Sequence, residues 1–232
     1  MRTFTKFCDT DPVAKQLVTD LPTIQGAPSR YRTQMHELGK HLADGILQKL
    51  DLTNNGEIYV ICTVEDADFL ARGVIEQLEN AGLADRTNLV CLWNRNIREQ
   101  GVSLSPIVRE YKDKEEYSLN ASAFIVVKSI ISGACVVKTN LTRAISLALP
   151  EKIFVASPVM LIGAEERLSK EFPAEIRRKF EFVHFATDTE KNGDNVIPGI
   201  GGSVYELLGI DKNRYIPNLV KERRERNYPS YA

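Results

Sequence analysis

Several strand-length runs in this 232-residue chain are apolar at every position rather than at alternate ones, and amphipathic helical patterns stand between them. Residues 57–63 read Glu-Ile-Tyr-Val-Ile-Cys-Thr, and further strands are expected at 88–93, 123–127, 153–156 and 180–185. A sheet with one wet face needs a polar residue at every second position. Continuous apolar strands instead demand cover on both faces. Residues 32–50 place Met35, Leu38, Leu42, Ile46, Leu47 and Leu50 at helical spacing, and 66–81 do the same with Phe69, Leu70, Val74, Ile75 and Leu78. Helices are also expected over 139–149 and 162–171. The fold class that follows is α/β, a mostly parallel sheet flanked by helices, in one domain spanning 1–232. Residues 94–121 interrupt the pattern: they are polar, carry Arg95, Arg98, Arg109, Lys112 and Lys114, and read as a flap or hairpin insertion. The tail 211–232 is charged and reads as a solvated helix or extension, or else as a contact arm.

The composition narrows the function. A formal net charge of −1 gives no global attraction to nucleic acid or to an anionic membrane. No apolar run is long enough to span a bilayer, and the first residues lack the apolar core of a signal peptide, so a cytoplasmic protein is expected. The four cysteines, at 8, 62, 91 and 135, include no Cys-x-x-Cys pair and read as reduced thiols. His36, His41 and His184 are too scattered to form a metal motif.

In an open parallel sheet, ligands bind beyond the carboxyl ends of the strands. Four loops therefore matter, those after residues 63, 93, 127 and 185. The last leads into Val196-Ile197-Pro198-Gly199-Ile200-Gly201-Gly202, where a proline precedes three glycines in four positions. A loop so poor in side chains either presses its backbone against a planar ligand such as a nucleobase or is a plain glycine-rich turn.

With its elements in this order, the chain resembles the uracil phosphoribosyltransferases of the type I phosphoribosyltransferase fold. The resemblance rests on Tyr31-Arg32-Thr33-Gln34-Met35-His36-Glu37-Leu38-Gly39, on Asn94-Arg95-Asn96, on Ser103-Leu104-Ser105-Pro106, and most specifically on Asp188, Asn192 and Val196 to Gly201. It implies transfer of ribose phosphate from phosphoribosyl pyrophosphate (PRPP) to uracil with Mg²⁺. It also implies a base held by the 196–202 backbone and a homodimer or higher homo-oligomer. The partner expected is a small nucleobase or nucleotide.

The donor-binding segments depart from that pattern. Where the family has an acidic residue ahead of its ribose-phosphate loop, this chain has Lys128; Ser132-Gly133-Ala134 and then Lys138-Thr139 follow. This segment is either an anion site at a helix start or a degenerate turn. The family's arginine- and glycine-containing pyrophosphate loop corresponds to Thr63-Val64-Glu65-Asp66-Ala67-Asp68. Each of these carboxylates opposes one phosphate charge by roughly 3 kcal/mol at about 6 Å and an effective dielectric near 20. Glu65, Asp66 and Asp68 therefore cap the helix expected from 66, hold a Mg²⁺, or lie in solvent. Arg95 is either a phosphate ligand or a solvated flap residue. The resulting expectation is a binder of a pyrimidine base, nucleoside or nucleotide that has lost standard PRPP transfer. The alternative is an active transferase with an altered donor site. No catalytic residue is assigned.

Overall fold

The structure is a computed structural model that describes residues 1–95, 97–99, 102–212 and 214–227, with only the backbone at 98, 99, 102 and 103. Its centre is an eight-stranded sheet built from β1 (Arg2–Phe4), β2 (Glu57–Thr63), β3 (Thr87–Asn94), β6 (Ile107–Lys112), β7 (Ala121–Val127), β8 (Ile130–Ile131), β9 (Lys152–Leu161) and β10 (Phe180–Asp188). The order across the sheet is β1-β10-β9-β7-β2-β3-β6, with β8 paired to the far end of β9. The strands β10, β9, β7, β2 and β3 run parallel, and β1 and β6 close the two edges in antiparallel register. Two small hairpins lie off the sheet: β4 (Ile97–Glu99) with β5 (Val102–Leu104), and β11 (Glu190–Asn192) with β12 (Asn195–Ile197).

The apolar runs are covered on both sides, as their composition requires. All seven residues of β7 are buried, and from Ala123 to Val127 they alternate between two cores. Ala123, Ile125 and Val127 join Ile58, Val60 and Cys62 beneath α3 (Pro28–Leu47) and α4 (Arg72–Leu78), which supply Leu38, Ile46, Val74 and Ile75. Phe124 and Val126 join Tyr59, Ile61, Val90 and Leu92 on the opposite face. There α5 (Cys135–Ile145) and α6 (Ala164–Lys170) add Val137, Leu141, Ala164 and Leu168. The remaining helices are short: α1 (Lys6–Asp9), α2 (Pro12–Asp20), α7 (Ala174–Arg177), α8 (Val204–Leu208) and α9 (Asn218–Asn227). In α2, Pro12 sits in the first turn and Asp11 caps it, its Oδ1 accepting from the Ala14 amide at 2.9 Å.

Three segments differ from the sequence reading. The polar stretch after residue 94 is only partly an insertion, because β6 within it is an edge strand of the main sheet, paired with β3. Edge strands tolerate charge, and Arg109, Glu110 and Lys112 disguise this one. The helix expected from 139 starts at Cys135. The charged tail contains α9, whose Leu219, Val220 and Arg223 are buried against the body. No helix among the described residues is long and apolar enough to cross a membrane.

Candidate functional site

From β2 the chain moves to β3 on one side, then returns through β7 on the other. The order of connection thus reverses between β2 and β7, and the crevice outside their carboxyl ends is the place where this architecture takes ligands. Three loops meet there: 63–68 after β2, 128–134 after β7, and the glycine loop with the start of α8.

The first two are joined by a buried ion cluster. Lys128 Nζ donates to Glu65 Oε1 at 2.9 Å and to Asp66 Oδ2 at 2.8 Å. Their side chains are 13%, 11% and 0% exposed respectively, so water contributes little. Thr63 Oγ1 donates to Asp66 Oδ2 at 2.7 Å, the Ser129 amide donates to Asp66 Oδ1 at 3.0 Å, and Tyr205 Oη donates to Glu65 Oε2 at 2.9 Å. Burial opposes the charge on Lys128, but the adjoining Asp66 and Glu65 outweigh it and hold the ammonium above its ordinary range. Burial also opposes the charge on Glu65, where Lys128 prevails and holds the carboxyl low; on Asp66 burial wins, and the carboxyl is pushed up. One cation thus serves two carboxylates, and the second carboxylate retains its proton more readily.

Lys128 is therefore spent on Glu65 and Asp66 rather than offered to a phosphate. Asp68 has separate partners. It accepts from Tyr215 Oη, from the Asn218 amide at 2.8 Å and from the Leu219 amide at 2.7 Å, with Arg72 3.6 Å away. It caps α9, some 150 residues along the chain, and none of the three acids makes a side-chain cap on the wide turn at Ala67–Ala71. The expected trio of metal ligands does not converge. Among the described residues no group of three or more His, Cys, Asp or Glu side chains is placed to hold a metal ion. A Mg²⁺ at Glu65 and Asp66 would have to displace the Lys128 ammonium.

The glycine loop is braced from within. Asp188 Oδ2 accepts from the Gly199 amide at 2.8 Å, and Arg2 grips Asp188 with two hydrogen bonds of 2.9 and 2.7 Å while donating to the Gly199 carbonyl at 2.6 Å. The Ile200 carbonyl accepts from Tyr31 Oη at 3.0 Å, and the Gly201 carbonyl accepts from Gln25. The Ile197–Pro198 peptide bond is cis. Gly199, at φ +55°, has its missing Cβ aimed at the Val196 carbonyl oxygen, 2.3 Å away, and Gly201, at φ +97°, aims at Pro22 Cα, 3.0 Å away. These two glycines serve the loop's own shape and its contact with the body. Val196 and Ile200 are buried, which leaves Ile197, Pro198 and Gly202 as the parts that face outward.

The remaining expected residues divide. Ser132, Gly133 and Ala134 form the turn ahead of α5; the Ser132 carbonyl accepts from Arg167 at 3.3 Å, while a Cβ on Gly133 meets nothing within 4 Å. Ala134 gives α5 no side-chain cap, so the first-turn amides are left to other partners. Lys138, in that helix, reaches Glu171 at 2.5 Å, and Thr139 is half-buried beside it. Arg95 is exposed, and its amide bonds the Pro106 carbonyl at 3.0 Å. The neighbouring Asn94 ties the end of β3 to Ser105 and Asn140, and Asn96 lies outside the described residues. The sequence reading gave no site role to Arg2, Tyr31 or Tyr205; Tyr31 stood only in a segment of the resemblance, and no local pattern marks the other two.

No family model matches the chain, and no curated protein matches it. Among solved structures, the AQ2163 protein from Aquifex aeolicus aligns over 85% of this chain and 94% of its own, with 15% identity and a TM-score of 0.64. That likeness shows the fold alone. Phosphoribosyltransferases also occur among the structural neighbours at low identity. One is the adenine phosphoribosyltransferase from Thermoanaerobacter pseudethanolicus, at 9% identity over 65% of this chain and 83% of its own, with a TM-score of 0.39. Another is the hypoxanthine-guanine enzyme from L. donovani, at 13% over 68% and 82%, with a TM-score of 0.38. Overlaps of that size carry no functional argument.

Proposed function

We propose that this chain is a phosphoribosyltransferase-like protein that binds a pyrimidine base, nucleoside or nucleotide in the crevice between β2 and β7, and that it does not perform standard PRPP transfer. The reading rests on the buried Lys128–Glu65–Asp66 cluster. A pyrophosphate entering the turn after β2 meets two carboxylates, and the Lys128 ammonium beside them is already bound to both. Separating them would leave buried charge uncompensated, at a cost of several kcal/mol. A single phosphate has a different place to go. The open turn at Ser132–Ala134 leads into the uncapped amides of α5, an arrangement that suits a phosphomonoester. The base would lie along Ile197, Pro198 and Gly202. Arg95, Lys138 and Thr139 play at most a peripheral part in this reading.

Trp93 is the one tryptophan of the chain; it precedes the last residue of β3, with the Arg109 guanidinium 4.8 Å from its ring, and its fluorescence gives a second readout. Calorimetry and fluorescence with UMP, uracil and PRPP–Mg²⁺ test the proposal. Micromolar binding of UMP or uracil is expected, with no heat from PRPP–Mg²⁺ below the millimolar range. Pyrophosphate release on adding uracil and PRPP–Mg²⁺ would instead establish the active transferase. Silence toward both UMP and uracil would remove the ligand class altogether.

A further inference from the structure

Away from the crevice, a cavity of about 240 Å³ opens beside the outer edge of β10. β1 ends at Phe4, opposite Ala186, so from Phe180 to Val183 no strand among the described residues covers that edge. The start of α1 and the end of α3 close over it instead. Phe7, Phe182 and Val183 give the lining an apolar floor. Phe7 is held in place by stacking on Phe185, with ring centroids 5.5 Å apart. Gly45 completes the wall, where a Cβ would come within 2.6 Å of the Phe7 ring.

The charge of the lining is one-sided. It contains Lys6 and Lys49 and no carboxylate. Lys49 is paired outside the cavity with Glu181 at 3.0 Å, whereas Lys6 is exposed and has no ion-pair partner among the described residues. His184 also lines the cavity, and burial lowers its pKa to about 4, so it adds no charge near neutrality.

We propose that this cavity is a binding site for a small organic carboxylate with a planar apolar body. The planar part lies against Phe7 and Phe182, and the carboxylate faces Lys6. An apolar floor with one convergent charge is the usual make-up of a small-ligand site, and aromatic rings favour a flat partner. A neutral analogue leaves the cation without a role, and an amine is repelled.

An amide NMR titration of the full chain with benzoate, benzyl alcohol and benzylamine tests this. Benzoate is expected to move the Phe7, Phe182 and Val183 amides and to leave those of residues 196–202 in place. Benzyl alcohol is expected to bind about fivefold more weakly, the worth of one exposed ion pair, and benzylamine not at all. The substitution Lys6→Met, on an exposed side chain, should reduce benzoate to the level of the alcohol while the unliganded spectrum persists. Equal binding of benzoate and benzyl alcohol, unchanged benzoate binding in Lys6→Met, or no shifts at millimolar benzoate would each overturn the proposal. None of these outcomes bears on the crevice ligand, so the two readings fail separately.

Discussion

In the glycine loop, the groups that are fixed belong to the backbone: the Gly199 amide and the Gly199, Ile200 and Gly201 carbonyls are each bound by a side chain from elsewhere. In the acid turn across the crevice the fixed groups are side chains, with Glu65 and Asp66 sharing one buried ammonium. The first kind of order depends on φ angles that glycine supplies at little cost. The second depends on charges that are costly singly and tolerable together. The two loops should therefore fail differently when damaged. The acid turn should lose stability steeply once its cation is removed, and the glycine loop should lose it moderately, wherever a Cβ is forced inward.

The largest expected effect is at Lys128. Lys128→Met leaves both acids buried without a cation and should cost about 3–5 kcal/mol in urea unfolding. Adding Glu65→Gln and Asp66→Asn together should restore much of that loss, a coupling read by a thermodynamic cycle in which the two acids are changed as one unit. A cost below about 1 kcal/mol for Lys128→Met would mean that the turn is solvated after all, as an exposed pair would be. Next comes Gly199→Ala, which puts a Cβ against the Val196 carbonyl at positive φ. It should cost about 2 kcal/mol by the same measurement. Asp68→Ala removes the cap of α9 and should cost about 1–2 kcal/mol. Its signature is faster hydrogen exchange in α9 with the glycine loop unaffected. The smallest stability change is expected for Gly133→Ala, within about 0.5 kcal/mol because its Cβ enters open space. The same variant should weaken UMP binding severalfold in calorimetry, because that open space is where the phosphate would sit.

The sheet was largely legible because its signal is local. The runs at 57–63 and 123–127 declare strands buried on both faces, and α3 announces itself by its spacing. β1, with three residues, and β6, charged along an edge, have too short or too mixed a pattern to be seen. At the site, the positions of Lys128 and the acid turn were readable as departures from a resembled pattern, one by one. Their mutual compensation was not, because Lys128 meets Glu65 and Asp66 across 63 and 62 residues through adjacent strands. Asp68 was read as a candidate ligand, as a cap for its own helix, or as a solvated residue. It caps a helix whose first residue is 150 positions away, which periodicity cannot reveal.

Arg2 reaches Gly199 across 197 residues, nearly the whole chain. Bringing such distant segments together carries an entropic cost that grows only slowly with the length of chain between them. The central strands and their helices make no use of that bond, whereas the glycine loop is braced by a first strand docked on the edge of β10. A chain with a displaced first strand is expected to keep its core and to lose the Arg2 brace on Asp188 and Gly199.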